Sequence, residues 1–526
     1  MIGRVGEPET VEKVRAAEVI GAACLATDLG MGFPFEHGIE ATLVSSRLAR
    51  LLDVDIATES DVFYMSLLMY LGCNTDSEPN LRVFGGSGTE NITPHQFGTN
   101  LEMLRGVVRN LPDPDAPALT RTYQAISRLP RARTFRGDHF LSMCEVAVVL
   151  SDRLGAPPEV SQMFNVLTER WDGKSVLGRA EGDEVPMALR IVQVARDGAF
   201  QHLLGGLEHA AAVVRERAGG AFDPHVARTF ADNAAGLLAP SEGSVWDDFL
   251  ALEPKPHRML GPDEFDRAVA ALGDFADMVS PRMSGHSPGV AELAASAARI
   301  AGFDDTAIRR IRHAALVHDV GRAAIHPRIW QKPGPLSADE WEKVRLHPYH
   351  TSRVLAPSQP LQDLANLACC HHEKIDGSGY HRNVPAAALD PLARLLAAAD
   401  AFHAMAEPRH HRDPLALEEA ARILAEQARE GRLDPDAVGG VVEAGGLESP
   451  DFSDPADLTS REAQVIGLLA RGLQTKQIAS RLGISPKTAD RHIQNAYRKI
   501  GVSTRAAATL YATEHGLVPW GEFPIK

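Results

Sequence analysis

The chain has little cysteine, no long apolar run and only short stretches of β-branched residues. Its five cysteines show neither the spacing of a metal site nor that of a disulfide framework, so we expect a reducing cytoplasm. They are Cys24, Cys73, Cys144, Cys369 and Cys370, and the adjacent last two are expected to pack as small apolar residues. No apolar run is long enough to span a bilayer and no signal peptide opens the sequence, which predicts a protein without a membrane partner.

Leucine and alanine dominate the composition, and 34 prolines interrupt segments with helical patterning. We therefore predict an all-α fold. A chain of 526 residues is long enough for about three domains.

The most informative residues are histidines and aspartates in the second half of the chain. Of the 21 histidines, 12 fall between residues 286 and 411. The candidate metal ligands are His286, His318, Asp319, His347, His371, His372 and Asp400. Imidazole and carboxylate ligands suit Fe, Mn or Zn, whereas soft metals and iron–sulfur clusters need thiolates. Adjacent ligand pairs suit two cations, which at a separation of about 3.5–4 Å clamp a phosphate and activate water.

A single histidine on an apolar helix is more often a hydrogen-bonded core residue than a ligand. Here the apolar run at residues 314–317 leads directly into His318 and Asp319. A buried carboxylate without a partner is very costly, so Asp319 must be ion-paired or bound to a metal. The sequence therefore favours a metal site that processes phosphoryl groups.

Residues 286–412 resemble the HD-GYP family, the HD-superfamily phosphodiesterases that open cyclic di-GMP. The matching segments are HSPGVAELA, LVHDVGR, QKPGPLSADEWEKVRLHP, HHEKIDGSGYH and LARLLAAADAFHAM. The resemblance implies a centre of two divalent metal ions, Fe or Mn, with Zn as a possible occupant. One metal would be held by His286, His318, Asp319 and Asp400, and the other by Asp319, His347, His371 and His372, with Asp319 bridging.

The same resemblance implies which residues act on the substrate. Asp319 and Arg322 are the expected catalytic residues, and the arginine is expected to contact a phosphate oxygen. The expected substrate-binding residues are Arg322, Gly379, Tyr380, Arg394 and Arg409.

The chain departs from the family pattern at several positions near these ligands. Arg322 replaces a lysine, which keeps the charge but changes its geometry, and His381 replaces the proline of the signature loop. His403 stands where an acidic residue is expected three positions after Asp400. Arg282 stands where some relatives carry a glutamate for a third metal, so we expect two metals. The ligand set is complete, but the identity of the substrate stays open.

The first third of the chain repeats the pattern of this unit without most of its ligands. His37 begins a segment like that at His286. The aligned replacements are Met69 and Tyr70 for the His-Asp pair, Leu167 and Thr168 for the His-His pair, and Arg196 for Asp400. One remaining imidazole does not hold a metal. We interpret this unit as a degenerate duplicated domain, which is either a small-molecule sensor or pairing surface, or a scaffold retained for its core.

The C-terminal segment has the pattern of a helix-turn-helix. Thr459 and Glu462 form a capping box, and Ser485 caps a helix that begins at Pro486. Residues 458–518 resemble the LuxR-type DNA-binding domain. Residues 457–526 carry 10 Lys/Arg against 5 Asp/Glu, whereas the remainder of the chain has a net charge of −20, and a basic module on an acidic body suits DNA. The expected DNA contacts are Lys487, Thr488, Arg491, His492, Asn495, Arg498 and Lys499.

Together these patterns predict two HD-type helical domains followed by a four-helix LuxR-type domain. The expected boundaries are residues 1–245 for the degenerate copy, 246–445 for the metal-binding copy, 446–456 for a linker and 457–526 for the DNA-binding domain. We expect a cytoplasmic, nucleoid-associated transcription regulator that binds DNA as a homodimer and hydrolyses a cyclic dinucleotide or a related nucleotide. The alternatives are a receptor that binds the nucleotide without turnover, and a metal centre that senses redox state or oxygen.

Overall fold

The computed structural model of the protein describes residues 13–74, 96–112, 116–380, 382–410, 412–450, 452, 458–515 and 517–518. Within these ranges the only strands are two of two residues each and the other named elements are helices, so the prediction of an all-α fold is confirmed. No helix in these ranges is long and apolar enough to cross a bilayer. The histidine at position 381 of the predicted signature loop lies outside the described residues.

The first copy, called copy 1 below, begins with strand β1 (Val14–Arg15). Its described helices are α1 (Ala16–Met31), α2 (His37–Leu51), α3 (Ile56–Leu68), α4 (Asn100–Asn110), α5 (Ala118–Arg153), α6 (Pro158–Met163), α7 (Met187–Glu216), α8 (Pro224–Leu237) and α9 (Val245–Leu252). Helix α7 is kinked at Gly206, where a φ of 80° lies in the left-handed region that glycine tolerates. Short 3-10 turns lie at Leu71–Asn74, Phe164–Val166 and Gly182–Glu184.

The second copy, called copy 2, begins with strand β2 (Met259–Leu260). Its described helices are α10 (Pro262–Asp277), α11 (His286–Ile300), α12 (Asp305–Val317), α13 (Pro327–Trp330), α14 (Ala338–Arg345), α15 (His347–Leu355), α16 (Gln359–Ala368), α17 (Pro391–Ala406), α18 (Leu417–Arg429) and α19 (Pro435–Ala444). Short 3-10 turns lie at Pro281–Met283, Val320–Ala324 and Ala386–Ala388. The side chains of Asp304 and Ser337 accept hydrogen bonds from the first turns of α12 and α14, which fixes where these helices begin.

The two copies repeat one another in local detail. In copy 1 the Asp28 carboxylate accepts a hydrogen bond of 2.8 Å from the backbone N–H of Gly38, ten residues later. In copy 2 the Asp277 carboxylate accepts a bond of 2.9 Å from the backbone N–H of Ser287, also ten residues later. Both bonds tie the end of the first helix of a copy to the start of the second. These matching contacts support the interpretation of the sequence repeat as a duplication.

The copies pack against each other as one body. Strands β1 and β2, which precede the first helices of the two copies, pair antiparallel with Val14 opposite Leu260. Helix α1 contacts the turn Val320–Ala324 and helix α15 of copy 2, and the Arg353 guanidinium lies 4.0 Å from the centre of the Phe35 ring. Buried apolar side chains of both copies form a single continuous core. Copy 1 therefore supports the same turn that follows His318 and Asp319.

The C-terminal domain has a hydrophobic core of its own. Its helices are α20 (Ser460–Ala470), α21 (Thr475–Arg481), α22 (Pro486–Lys499) and α23 (Arg505–Glu514). The predicted capping box of Thr459 and Glu462 is present, and the Ser485 hydroxyl accepts from the backbone N–H of Thr488. The side chains of Ala489 and Ile493 on α22 pack into this core. The four-helix arrangement expected from the sequence is therefore observed.

Candidate metal centre

The structure brings all seven predicted ligands together. His286 and His347 begin α11 and α15, His318 and Asp319 follow α12, His371 and His372 follow α16, and Asp400 lies within α17. His372 is half-buried, and the other six side chains are buried. The ends of α11, α12, α15 and α16 surround one point together with the middle of α17. The side chains at these positions therefore project toward the same space.

Asp319 divides the centre into two halves. Its Oδ1 atom lies 3.2 Å from Nε2 of His347 and 3.5 Å from Nε2 of His371. Its Oδ2 atom lies 2.9 Å from Nε2 of His318 and 3.4 Å from Nε2 of His286. Each carboxylate oxygen therefore faces a different pair of imidazoles, which is the arrangement that a ligand shared by two cations requires.

Asp400 completes the first half and reaches toward the second. Its Oδ1 atom lies 3.3 Å from Nε2 of His286 and 3.7 Å from Nε2 of His318. Its Oδ2 atom lies 3.6 Å from Nδ1 of His372. In the first half, the ligand atoms of His286, His318 and Asp400 lie within 4.8 Å of one another. In the second half, the ligand atoms of His347, His371 and His372 also lie within 4.8 Å of one another.

Hydrogen bonds on their outer nitrogens orient three of the histidines. The Nδ1 atoms of His318, His347 and His371 each lie 2.6 Å from the carbonyl oxygen three residues earlier. A ring that donates through Nδ1 and is neutral presents a lone pair on Nε2. Burial lowers the pKa of His347 to about 4, which keeps its ring neutral. The Nε2 atoms of His347 and His371 face each other at 3.0 Å, a separation that suits two nitrogens bound to the same cation.

Several buried atoms of the centre have no hydrogen-bond partner in the part of the chain that the structure describes. They are Nε2 of His286, Nε2 of His318, both carboxylate oxygens of Asp319 and Oδ1 of Asp400. Buried polar atoms without partners are rare and costly, and here all five point into one space. Because the donors are imidazole nitrogens and carboxylate oxygens, they fit Fe, Mn or Zn.

The charges at the centre require a positive counterpart. Burial alone lowers the pKa of His286, but the carboxylates of Asp319, Asp400 and Glu407 outweigh burial and raise it to about 10. In the same way, burial lowers the pKa of His318 and the two aspartates raise it to about 9. The pKa of both aspartates lies well below its usual value although burial raises it. Protons or metal cations are thus strongly favoured between these carboxylates.

Arg322 lies directly against the centre. Its guanidinium is buried, forms an ion pair with Asp319 in which Nη2 lies 2.6 Å from Oδ2, and lies 5.3 Å from the centre of the Trp330 ring. The preceding Gly321 has no room for a side chain, because a Cβ there would collide with the backbone of α15 at His347 and Thr351. This close packing of the turn onto α15 places Arg322 beside the carboxylate that divides the centre.

Three other predicted substrate residues lie nearby. The Tyr380 ring lies 4.3 Å from that of His372, centre to centre, and so covers the less buried side of the centre. Gly379 packs closely on Glu373. A Cβ atom at position 379 would lie only 2.6 Å from the Cα atom of Glu373. The Arg409 guanidinium donates to Glu407 at 2.9 Å. A substrate role for these three remains a prediction.

Arg394, also predicted to bind the substrate, is held by contacts within copy 2. Its guanidinium pairs with Asp434 at 2.8 Å and donates to the carbonyl oxygens of Leu389 and Ala386. Copy 1 contains the matching ion pair, between Arg190 and Asp223, also at 2.8 Å. A contact that recurs in the copy without the metal ligands supports the fold, and the substrate role of Arg394 stays a prediction.

Copy 1 has a different centre at the aligned position. Arg196 is buried, donates to the carbonyl oxygen of Gly38 at 3.1 Å and lies 4.8 Å from the centre of the Tyr70 ring. His37 lies against the Phe33 and Phe200 rings, and burial together with the charge of Arg196 lowers the pKa of His37 to about 3. Aromatic rings and one guanidinium thus fill the space where copy 2 collects its ligands.

Sequence reasoning missed two residues that the structure identifies. Met143 occupies the place of His347 in copy 1, because Gly72 approaches the Met143 carbonyl as Gly321 approaches that of His347. Glu407 accepts a hydrogen bond of 2.9 Å from Nδ1 of His286. The signal for Glu407 was its position four residues after His403, one turn along α17.

Most of the predicted DNA contacts lie on the outer side of α22. Lys487, Arg491 and Arg498 are exposed, and His492 and Asn495 are half-buried. The Thr488 hydroxyl lies 2.7 Å from that of Ser485 within the helix cap. The Lys499 ammonium binds the buried Glu462 carboxylate at 2.7 Å within the domain, and its contact with DNA stays a prediction.

Two family matches agree with these observations. Residues 271–437 match the family described as HD domain, and residues 456–512 match that described as bacterial regulatory proteins, luxR family. The chain carries an HD domain followed by a LuxR-type DNA-binding domain. The resemblance inferred from the sequence is thereby confirmed.

The HD-domain protein is similar to phosphodiesterases of cyclic dinucleotides. It is 25% identical over 445 residues to 3'3'-cGAMP-specific phosphodiesterase 3 of Vibrio cholerae, and the alignment covers 83% of this chain and 96% of the relative. An alignment of this length includes both copies. This protein is also 35% identical over 155 residues to the cyclic di-GMP phosphodiesterase of Thermotoga maritima, and that alignment covers 29% of this chain and 41% of the relative.

The fold is also found in a solved structure. The crystal structure of a cyclic GMP-AMP specific phosphodiesterase of V. cholerae aligns with a TM-score of 0.57 at 23% identity, covering 83% of this chain and 99% of that one. At this identity the likeness concerns the fold. It extends over nearly the whole of that chain, and so over the tandem arrangement of helical copies.

Proposed function

We propose that this protein is a metal-dependent phosphodiesterase that opens a cyclic dinucleotide, and that its LuxR-type domain couples this activity to transcription. The observation that carries the proposal is the position of Asp319, whose two oxygens face two different pairs of buried histidines. The similarity to cyclic di-GMP and cGAMP phosphodiesterases supports the substrate class. We also propose the domain boundaries at residues 245, 445 and 456 given above.

The residues around the centre have separable roles in this reaction. Two divalent cations, when bound, would lower the pKa of a water molecule and neutralise charge on the phosphoryl oxygens. The guanidinium groups of Arg322 and Arg409 would donate to non-bridging phosphate oxygens and hold the phosphodiester against the centre. Tyr380 would limit the access of bulk water from the side of His372.

A single-turnover assay tests this proposal. Protein purified without oxygen and loaded with Mn²⁺ or Fe²⁺ is mixed in excess with cyclic di-GMP, 3'3'-cGAMP, pGpG or cAMP, and the products are separated by mass. A linear dinucleotide from one of the cyclic substrates is the expected result. Intact nucleotide in all four reactions, with two metals bound per chain, would exclude hydrolysis of these compounds.

The second candidate is a receptor that binds a cyclic dinucleotide without cleaving it. The ion pair between Arg322 and Asp319 at 2.6 Å favours this alternative, because it engages the carboxylate that the two halves share. A receptor would change its affinity for DNA on addition of the nucleotide and return the nucleotide intact. The product assay and a DNA-binding titration on the same sample separate the two candidates.

We further propose that the LuxR-type domain binds a pseudo-palindromic site as a homodimer, with α22 in the major groove. Selection from a random duplex library would supply the probe. Arg491→Ala should weaken binding by about 1–3 kcal/mol, as expected for loss of a base or phosphate contact. Lys499→Ala serves as the comparison, because its ion pair with Glu462 predicts a lower melting temperature of the domain as its main effect.

A further inference from the structure

One metal-binding histidine is oriented differently from the others. His318, His347 and His371 each donate through Nδ1 to a carbonyl oxygen in the preceding turn. His347 begins α15 directly after the helical turn that ends α14, whereas the residue before His286 is Gly285 with a φ of 86°, so the chain enters α11 without a preceding helical turn. Nδ1 of His286 lies instead 2.9 Å from Oε2 of Glu407, a residue 121 positions away.

Glu407 joins three groups at the edge of the centre. Its Oε2 atom is also 2.9 Å from the Arg409 guanidinium, and its Oε1 atom is 3.0 Å from Nδ1 of His403. The His403 ring fits beside α11 because Gly289 has no side chain, and a Cβ there would collide with the ring. A third metal ion bound by His403, Glu407 and Nδ1 of His286 would have to displace the Arg409 guanidinium from Glu407. The His286 ring would then have to bind one metal ion through each of its two nitrogens. A hydrogen-bonded carboxylate therefore explains the cluster better than a third cation.

The arrangement compensates for a departure in the sequence. An acidic residue is expected at position 403, and the chain has His403 there with Glu407 one turn later. Copy 1 has Ala199 and Leu203 at the aligned positions, and its His37 lies against aromatic rings. The carboxylate is thus present in the copy that collects ligands and absent from the aligned position in the copy that does not.

We infer that Glu407 is a positioning residue of the metal centre: it holds Nδ1–H of His286 so that Nε2 faces the cation, and its shared oxygen fixes Arg409 beside the same metal. A carboxylate bonded to a ligating histidine sets the ring orientation and raises its basicity. The inference rests on the proposed function for the role of Arg409, whereas the role toward His286 requires metal binding alone.

Substitution of Glu407 tests the inference through metal affinity. Glu407→Gln keeps the size of the side chain and removes its charge, and we expect the affinity for Mn²⁺ to fall about 10–100-fold. Glu419→Gln is the matched control, because Glu419 is exposed and pairs with Arg422 in the adjacent turn. Affinity is measured by competition with a chelator on the full chain. The electron paramagnetic resonance spectrum of bound Mn²⁺ is recorded as a readout of ligand geometry.

The outcomes separate this inference from the proposed function. An altered Mn²⁺ spectrum and weaker binding at an unchanged melting temperature support the positioning role, even if the wild-type protein hydrolyses no nucleotide. Wild-type affinity and spectrum in folded Glu407→Gln would overturn it. If that variant does not fold, Glu407→Asp, which keeps the charge but shortens the reach, is measured instead, and wild-type affinity there overturns the inference as well.

Discussion

The two copies surround their centres with the same arrangement of helices but with different chemistry. In copy 2, Asp319 and Asp400 face five histidines, and the buried donors of this cluster call for cations from solution. In copy 1, the position aligned with Asp400 holds Arg196, whose guanidinium lies over Tyr70 and near Asp28. One centre thus has the donors to bind an exchangeable cation, and the other contains a cation that is covalently part of the chain. The same arrangement of helices therefore accommodates two kinds of centre.

The largest expected effect distinguishes the centres by metal content. The double variant His318→Ala, Asp319→Ala should lose the bound metal, because it removes one imidazole and the carboxylate common to both halves. His37→Ala removes the buried imidazole at the start of α2 and should leave the metal content unchanged. Elemental analysis after dialysis measures both. Full metal content in the double variant would refute the ligand assignment, and loss of metal in His37→Ala would place a ligand in copy 1.

The second prediction concerns the built-in cation of copy 1. At pH 8, above the pKa of about 7 to which burial raises Asp28, Arg196→Ala should lower the free energy of unfolding by on the order of 3–5 kcal/mol, because the ionised Asp28 carboxylate loses its nearby positive charge. Urea unfolding followed by circular dichroism measures the change. Arg196→Met, which restores much of the volume, is the control for packing. Equal stability of all three proteins would mean that the guanidinium does not support the fold of copy 1.

The third prediction compares the ion pairs that the copies have in common. Arg394→Ala and Arg190→Ala should each destabilise the protein by about 1.5–3 kcal/mol, the range for hydrogen bonds to charged groups. The partner carboxylates Asp434 and Asp223 also cap the helices α19 and α8. Neither variant should change the KM of the proposed hydrolysis. An increase in KM for Arg394→Ala alone, without a change in stability, would support the substrate role predicted for it from the sequence.

Apart from the ligand set that the family resemblance implied, the sequence predicted the features whose residues are close together in the chain. The ligand pairs at residues 318–319 and 371–372 are adjacent, and the caps at Thr459 and Ser485 act within one helical turn. The roles of Glu407 and Arg394 depend on partners 121 and 40 positions away, so no local pattern specified them.

Local sequence patterns likewise did not predict how copy 1 packs against copy 2. Helix α1 is buried on nearly all sides because it packs on its own copy and on the turn Val320–Ala324. The equivalence of Met143 and His347 was obscured because 71 residues separate Gly72 from Met143, whereas 26 separate Gly321 from His347. Only the matching close approach of the two glycines to α5 and α15 makes the alignment visible.

The last prediction concerns a pH dependence that arises in copy 1. Burial raises the pKa of Asp28 to about 7, and Arg196 and the Gly38 N–H only partly offset it. Between about pH 4 and pH 7 the folded state therefore binds a proton that the unfolded state releases, and stability falls as pH rises. Relative to Asp28→Asn, the wild-type protein should lose at most about 1.4 kcal/mol per pH unit across this window and nothing further above it. Parallel curves for the two proteins in urea titrations would show that Asp28 stays ionised in the fold, and the built-in cation of copy 1 would then be paired with a full negative charge.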